Sequence, residues 1–502
     1  MNTWLDNAPV IVGVGEITQR TKDPAQAMEP LALMAAALRA ADLDAGGSVL
    51  ALVDSLDVVQ EFSWPYADAP RQLNNLMGMN ARRRTYGPVG GETPVHFIHE
   101  AALRIWRGES NVAAVVGAEA QYAATAAQRQ GFALPWSPRD DAVKLVRGAD
   151  YLHPTAVKLG VASPASVYPF YENATQVAWG QSPAQGRAEA GQLWERCSAV
   201  AASNPHAWQR DSLSADAIVN TGDGNRMVAW PYTKRMVANP LVNQGAGVLL
   251  TSRSQARQLG IAEERLTYVW CGAAAHEPAD YLFRDKYTSA PAQEAVLERI
   301  LQQVGDLGAF DQLELYSCFP VVPKMARRTL ALQADASMTC AGGLSFFGAP
   351  LNNYMSHAAA AMVRALRGRQ DARGLLYGQG GYLTKHHAVV LGSYPSAAIR
   401  LSDDYSVQAA ADARRGPVPP LAMDHAGPAA IETHTVLYRK DGSPQHGVVI
   451  ARTPAGGRLL AKVEADDSSG IATLVDLQRS PIGRNGHVSH GVDGLPVWSF
   501  ES

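Results

Sequence analysis

HEAALRIWRGESNVAAVVG at residues 99–117 has a close parallel in SHAAAAMVRALRGRQDARGLLYG at residues 356–378. Each segment opens with apolar residues at helical spacing, passes through an Arg-Gly turn and ends in an apolar run that predicts a buried strand. The parallel indicates a duplicated α/β unit. Buried strands between amphipathic helices recur around both segments, so the sequence predicts an α/β fold of two halves on a mostly parallel sheet.

Composition and sequence pattern divide the chain into five regions. Residues 1–120 form the predicted first half and residues 241–400 the second. The stretch 121–240 is rich in Trp, Tyr, Pro and Gln, which is typical of a long insertion that carries binding surface. Residues 401–430 contain RRGPVPP and HAGP and are predicted to be a linker. From 431 to 502, short strands alternate with Gly-Pro turns, and this pattern predicts a small all-β barrel or sandwich, which resembles the OB type in its strand pattern.

Composition excludes several protein classes. The 502 residues are 47% hydrophobic and 18% charged, which excludes overall disorder. A net charge of −3 does not indicate the basic surface that nucleic-acid binding requires. No apolar run reaches the ~18 residues of a membrane span. The four cysteines form no C-x-x-C pair, so neither a metal site nor a disulfide framework is expected. Without a secretory signal, the expected location is the reducing cytoplasm.

Three segments are candidates for a functional site. They are YGPVGGETPVHF at 86–97, LYSCFP at 315–320 and CAGGLSFFGAPLNNYMSH at 340–357. A glycine-rich loop before a helix lets backbone N–H groups approach a thioester oxygen or an oxyanion. Cys318 follows a predicted strand, where α/β sheets gather their active sites. Alternatively, the two glycine-rich loops are only tight strand-to-helix turns, and Cys318 is an inert residue of the core.

In this order, the three segments resemble the thiolase superfamily over roughly residues 8–395, most nearly its sterol-carrier type. The family's H-D-C-F strand end matches Tyr316–Phe319, and its N-x-x-G-G-x-x-x-x-G-H-P loop resembles Thr339–Pro350. VNQGAGVLLTS at 242–252 resembles the S-D-G-A-A-A strand, and the nucleophile loop N-C-A-S/T-G falls on Gly87–Gly91. The resemblance implies a thiolase fold with duplicated mixed-sheet halves in layers.

The departures from the family pattern concern its catalytic residues. No cysteine lies within 80–100, so the acyl-accepting nucleophile is absent. Ala349 replaces the histidine of G-H-P, Tyr316 replaces that of H-D-C-F, and Cys318 alone matches the family's acid/base cysteine. Together with the extra C-terminal β domain, this pattern resembles the thiolase-like protein type 1 group. That resemblance implies the fold and a CoA cleft without ordinary thiolase activity.

Three residues are candidates for catalysis. Cys318 and His357 could form a displaced nucleophile and base, although His357 could equally be bonded to backbone at its helix start. Glu92 lies in a predicted first helical turn, where it either favours the helix dipole or acts as a general base in the emptied nucleophile pocket. In the enzyme hypothesis, helix N-termini lower the Cys318 pKa below its usual ~8.5.

The expected ligand is CoA or acyl-CoA, with no tightly bound cofactor. Asn352 and Asn353 either cap a helix or donate to an acyl carbonyl, and Lys234 or Arg235 could lie near a phosphate of CoA. The predicted ligand-binding residues are Gly90, Gly91, Tyr316, Gly348, Asn352, Asn353 and Lys234.

Two functions remain open from the sequence. The first is an acyl-CoA-dependent acyltransferase with altered catalytic residues, and the second is a non-catalytic carrier of CoA, acyl or lipid ligands. An accessible cysteine of low pKa would favour the enzyme, whereas a carrier needs only a cleft. A monomer is expected, because the insertion and the extra domain could cover the edge strand through which thiolases pair.

Overall fold

The structure is a computed structural model that describes residues 3–305, 310–396, 399 and 401–501. Its helices are α1 (Thr3–Asp6), α2 (Pro30–Asp44), α3 (Ala69–Leu76), α4 (Thr93–Trp106), α5 (Gln121–Gln130), α6 (Pro154–Lys158), α7 (Pro164–Ala178), α8 (Pro183–Ser203), α9 (Ala215–Val219), α10 (Arg253–Gln258), α11 (Pro291–Val304), α12 (Val321–Thr329), α13 (Tyr354–Leu366), α14 (Gln408–Asp412) and α15 (Ser468–Leu474). Its strands are β1 (Pro9–Thr18), β2 (Ser55–Val58), β3 (Arg83–Tyr86), β4 (Val112–Ala120), β5 (Met227–Ala229), β6 (Tyr232–Thr233), β7 (Asn243–Ser252), β8 (Thr267–His276), β9 (Gln312–Leu315), β10 (Arg373–Gly380), β11 (Lys385–Gly392), β12 (Gly427–Tyr438), β13 (Pro444–Arg452), β14 (Arg458–Val463), β15 (Asn485–His490) and β16 (Pro496–Phe500).

A nine-stranded sheet in the order β3-β2-β4-β7-β1-β8-β11-β10-β9 carries the two halves. The expectation of a mostly parallel sheet is wrong. β2 pairs in parallel with β3 and β4, and β10 with β9, whereas the pairs around the centre are antiparallel. The apolar runs that suggested parallel strands arise because both faces of these central strands are covered, which buries either kind of strand.

The two similar segments occupy corresponding places in this sheet. α4 leads into β4 in the first half and α13 leads into β10 in the second, and each strand lies third from the β1–β8 junction. The two helices contact each other and pack on the sheet. Every residue of α13 from Tyr354 to Val363 is buried, and the small side chains Ala358–Ala361 allow the close approach. The predicted duplication of a mixed α/β unit is confirmed.

The inserted helices are fixed to the second half by a buried ion pair. Lys324 on α12 donates to Glu172 Oε1 on α7 over 2.6 Å, and Tyr232 donates to Glu172 Oε2 over 2.7 Å. Neither charged side chain is more than 2% exposed. A buried charge is tolerated only when paired and hydrogen-bonded, so these contacts determine how the insertion docks.

A closed barrel forms the C-terminal region, as the sequence predicts. β12 pairs with β13 and β15, β14 pairs with β13 and β16, and β15 with β16 closes the circuit. The expectation of an all-β domain is wrong in one respect, because α15 lies between β14 and β15. The apolar residues Ile471 and Leu474 of this short helix are buried in the barrel core, so the helix packs as part of that core.

Contacts from two directions hold the barrel against the α/β core. β5 of the insertion pairs with β12. The Arg458 guanidinium is fully buried, pairs with Glu432 and donates to the carbonyl oxygens of Leu282 and Asp285. The C-terminal barrel and the α/β core are therefore joined by polar contacts around the buried Arg458 guanidinium.

The first part of the predicted linker lies across the edge of the second half. We refer to residues 401–415 as the strap. Ser406 forms a bridge with Ala274, α14 contacts α11, and Arg415 pairs with Glu277 over 2.8 Å. The strap thus forms the wall of a cleft beside α4.

Candidate functional site

The loops that the sequence singled out meet around Cys318, just beyond the end of β9. A Cβ atom added to Gly91 would lie 1.9 Å from Tyr316 Oη, so the Tyr316 ring fills the space beside the loop in place of a nucleophile. Tyr168 from the insertion stacks on Phe319, with ring centroids 4.4 Å apart. Aromatic side chains therefore pack the region in which the resemblance places the reacting groups.

The Cys318 thiol is buried in this packing. Its residue is 7% exposed, and its Sγ atom lies 3.5 Å from Gln379 Oε1, to which Tyr168 also donates over 2.8 Å. Burial raises the pKa of Cys318 to about 12, and the hydrogen bond with Tyr168 offsets only part of this rise. The expected lowering of this pKa by helix N-termini is wrong, because desolvation outweighs it.

His357 belongs to a different contact. Its Nδ1 atom lies 2.7 Å from Glu16 Oε1 on β1, and Arg364 also pairs with Glu16. The imidazole is fully buried, and burial lowers the pKa of His357 to about 3, so the ring is neutral at physiological pH. The predicted Cys318–His357 pair is not formed, because His357 ties α13 to β1.

The two asparagines at the start of α13 are bonded to backbone of the first half. Asn352 donates to the carbonyl of Gln60 over 2.8 Å and accepts from the N–H of Gly90 over 3.0 Å. Asn353 donates to the carbonyl of Gly117 over 2.6 Å. Neither side-chain amide caps the helix, and these bonds hold the loops of the two halves together.

Glu92 lies at the start of α4 among glycines. Its Oε1 atom is 3.9 Å from Lys385 Nζ, and its Oε2 atom is buried without a hydrogen-bond partner among the described residues. Burial raises the pKa of Glu92, and Lys385 opposes this rise. A Cβ atom added to Gly90 or Gly380 would lie about 2 Å from the carboxylate (2.2 and 1.9 Å), so only glycine leaves room for it.

The two remaining candidates have separate roles. Gly348 adopts a φ of +111°, and a Cβ atom there would lie 2.6 Å from Gln244 Oε1, so a glycine is required. Lys234 follows β6 and is exposed. It does not line the cleft described next.

A cleft of about 1090 Å³ opens beside Glu92. One wall is the face of α4 formed by Glu92, His96 and Glu100, and the opposite wall is the strap. The lining residues are Pro88, Glu92, His96, Glu100, Arg107, Ala274–Ala279, Thr384–His387, Asp403, Tyr405, Ser406, Gln408, Asp412 and Arg415. Of the predicted site residues, Glu92 alone lines the cleft; Cys318 and His357 do not.

Sequence reasoning missed most of this cleft. The i, i+4, i+8 spacing of Glu92, His96 and Glu100 was a usable signal, because such residues share one helical face. No local sequence pattern indicates that the strap forms the opposite wall of the cleft. Tyr405 reaches the cleft by donating to Glu100 over 2.7 Å and by packing on His99.

Histidines near the cleft are bonded to each other rather than arranged around an ion. His99 Nδ1 lies 3.0 Å from His387 Nε2, and burial lowers the pKa of both rings. Within the described ranges, no group of three or more His, Cys, Asp or Glu side chains is placed to hold a metal ion. In the same part of the chain, no helix has the length and apolar character needed to cross a membrane.

Comparison with known proteins places these features in a family context. Residues 407–492 match the model described as thiolase-like protein type 1 additional C-terminal domain. The structure is similar to a monomeric SCP2-thiolase like protein type 1 from Mycobacterium smegmatis, with 27% identity, 99% coverage of both chains and a TM-score of 0.83. A search of curated proteins gave no match. The resemblance inferred from the sequence is confirmed.

More distant structures share the fold alone. The Ltp2-ChsH2(DUF35) aldolase is 18% identical, with 77% of this chain and 98% of that chain covered and a TM-score of 0.59. Human mitochondrial 3-ketoacyl-CoA thiolase in complex with CoA is 14% identical, with 78% and 99% covered and a TM-score of 0.57. The thiolase fold is therefore shown for the α/β core.

Proposed function

We propose, from a thiolase fold that carries the type 1 additional C-terminal domain, that this protein binds CoA or acyl-CoA without transferring acyl groups through a cysteine. The single observation that carries the proposal is the state of Cys318. Its thiol is buried, and its pKa is raised to about 12 by desolvation. Thiolate, not thiol, is the nucleophile in acyl transfer, so the retained cysteine cannot replace the missing one.

The cleft beside Glu92 supports the choice of ligand. Pro88, which aligns with the nucleophile position of the family's loop, is one of the residues that line it. Its volume of about 1090 Å³ is sufficient for a cofactor-sized ligand. The alanine and proline side chains between Ala274 and Ala279 offer apolar surface, and Lys385 offers positive charge. A thiolase of the same fold is described in complex with CoA, and this supports the ligand class.

Calorimetric titration with CoA and with butanoyl-CoA tests the proposal. Both ligands should bind saturably at a one-to-one ratio. Ala279→Trp should weaken binding at least about tenfold, because an indole at this exposed cleft position occupies the ligand volume. Ala126→Trp on α5, outside the cleft, is the matched control and should bind as the unchanged protein does. Absence of binding, or equal weakening by both variants, would contradict the proposal.

We also propose that the chain is a monomer. β3 is an edge strand of the sheet, and Arg82, Arg83 and Arg84 are exposed along it. Pairing two such edges would bring like charges together, a recognised way to prevent edge-to-edge association. The similar protein from Mycobacterium smegmatis is described as monomeric. Light scattering should give a mass near 53.6 kDa, and a doubled mass independent of concentration would refute this.

The reducing cytoplasm is the proposed location. The four cysteines in 502 residues contain no C-x-x-C pair and form no pattern of a disulfide framework, which is typical of a compartment that keeps thiols reduced.

A further inference from the structure

An unsatisfied carboxylate lies in the wall of the cleft. The Glu92 side chain is 10% exposed, and its Oε1 atom lies 3.9 Å from the Nζ atom of Lys385, another cleft residue. Its Oε2 atom is buried and accepts no hydrogen bond from the described residues. A buried polar atom without a partner is uncommon in folded proteins and requires an explanation.

Close backbone packing by glycines helps to hold the carboxylate in place. Gly90 and Gly380 flank it so closely that a Cβ atom at either position would overlap Oε2. Gly378 packs against the Cα atom of Glu92. Three glycines thus enclose a carboxylate whose desolvation is only partly offset by Lys385 and by a backbone hydrogen bond. Such an arrangement is typical of functional sites, where a reactive group is kept available at the expense of stability.

We propose that Glu92 is a general base that removes a proton from C2 of an acyl thioester bound in the cleft. This inference rests on the proposed binding of acyl-CoA. The C2–H bond breaks and its proton passes to a Glu92 carboxylate oxygen. The electron pair of that bond forms a C1–C2 double bond, and the carbonyl π pair moves to oxygen, giving an enolate. Return of a proton from the carboxyl group to C2 completes a balanced cycle without an oxidant or a co-reactant.

The surroundings suit this chemistry. Desolvation raises the basicity of Glu92, because it disfavours the charged carboxylate. The Lys385 ammonium donates to the carbonyl of Val89 over 2.6 Å and is thereby held beside the loop. From there its positive charge can stabilise a developing enolate.

Proton exchange at C2 can be measured directly. Butanoyl-CoA is incubated with the protein in D₂O, and loss of the C2 proton signal is followed by NMR. The unchanged protein should catalyse exchange above the buffer rate. Glu92→Gln should slow it at least about 100-fold, the usual contribution of a general base, and Glu92→Asp should retain part of the activity. Lys385→Met should slow exchange about tenfold, because it removes the enolate's positive charge.

Two further measurements separate the possible causes of a negative result. Thermal unfolding of each variant shows whether it is folded, and calorimetric titration shows whether butanoyl-CoA binds. If the unchanged protein binds butanoyl-CoA but exchanges no C2 proton, the general-base role is overturned while the binding function stands. If it does not bind, the proposed function itself fails. If the folded Glu92→Gln variant exchanges the C2 proton as fast as the unchanged protein, the general-base role is also overturned.

Discussion

At neutral pH, the Cys318 thiol should react with iodoacetamide about a thousandfold more slowly than an unhindered cysteine. The pKa of Cys318 is raised to about 12, whereas a free cysteine has a pKa of ~8.5, and only the thiolate reacts. Because the pKa of Cys318 is raised, the alkylation rate should increase as the pH is raised toward 12, where the thiolate fraction is larger. Alkylation followed by peptide mass analysis measures each cysteine separately.

Labelling in concentrated guanidinium chloride provides the control, since all four thiols should then react at similar rates. In the folded protein Cys340 is the partly exposed cysteine, but its pKa is also raised by burial and by Glu314, so it too should react slowly. Rapid, selective labelling of Cys318 would contradict the structure and restore the acyltransferase hypothesis.

Thiolysis of acetoacetyl-CoA by the purified protein should be absent, because loss of a catalytic nucleophile typically lowers rates by ~10⁴ to 10⁶.

Replacing Lys324 with methionine should lower the free energy of unfolding by about 3–5 kcal/mol. The substitution leaves the Glu172 carboxylate buried with a single remaining hydrogen bond, from Tyr232, and an uncompensated buried charge has a cost of this size. Because Glu172 and Lys324 join the insertion to the second half, the variant should also expose the insertion to proteases first. Urea-induced unfolding measures the change.

Two variants make this prediction specific. Arg414→Gln breaks the partly exposed pair with Glu298 and should cost at most about 1 kcal/mol. Lys324→Met combined with Glu172→Gln should recover part of the lost stability, because the charge that lacked a partner is removed. A loss below about 1 kcal/mol in the single variant would show that solvent reaches the pair.

The α/β halves and the barrel could be predicted from the sequence because their signals are local. Helical spacing in 99–106 and 356–366, followed by apolar runs, gave the two corresponding units, and the turns between short strands after 431 gave the barrel. The helix α15 was missed because it has seven residues and lies between turn-like sequences. Strand direction was misjudged because burial on both faces looks the same in parallel and antiparallel strands.

The chemistry of the site depended on the tertiary structure. The absence of a nucleophile near Pro88 and of the G-H-P histidine was visible in the sequence, since both are residue identities. That Cys318 is buried with a raised pKa and that His357 is bonded elsewhere was not visible, because their partners Gln379 and Glu16 are 61 and 341 positions away. A pKa depends on desolvation and on nearby charges, and only folding decides both. For the same reason, the cleft between α4 and the strap, which leaves Glu92 without a full set of partners, became apparent only in three dimensions.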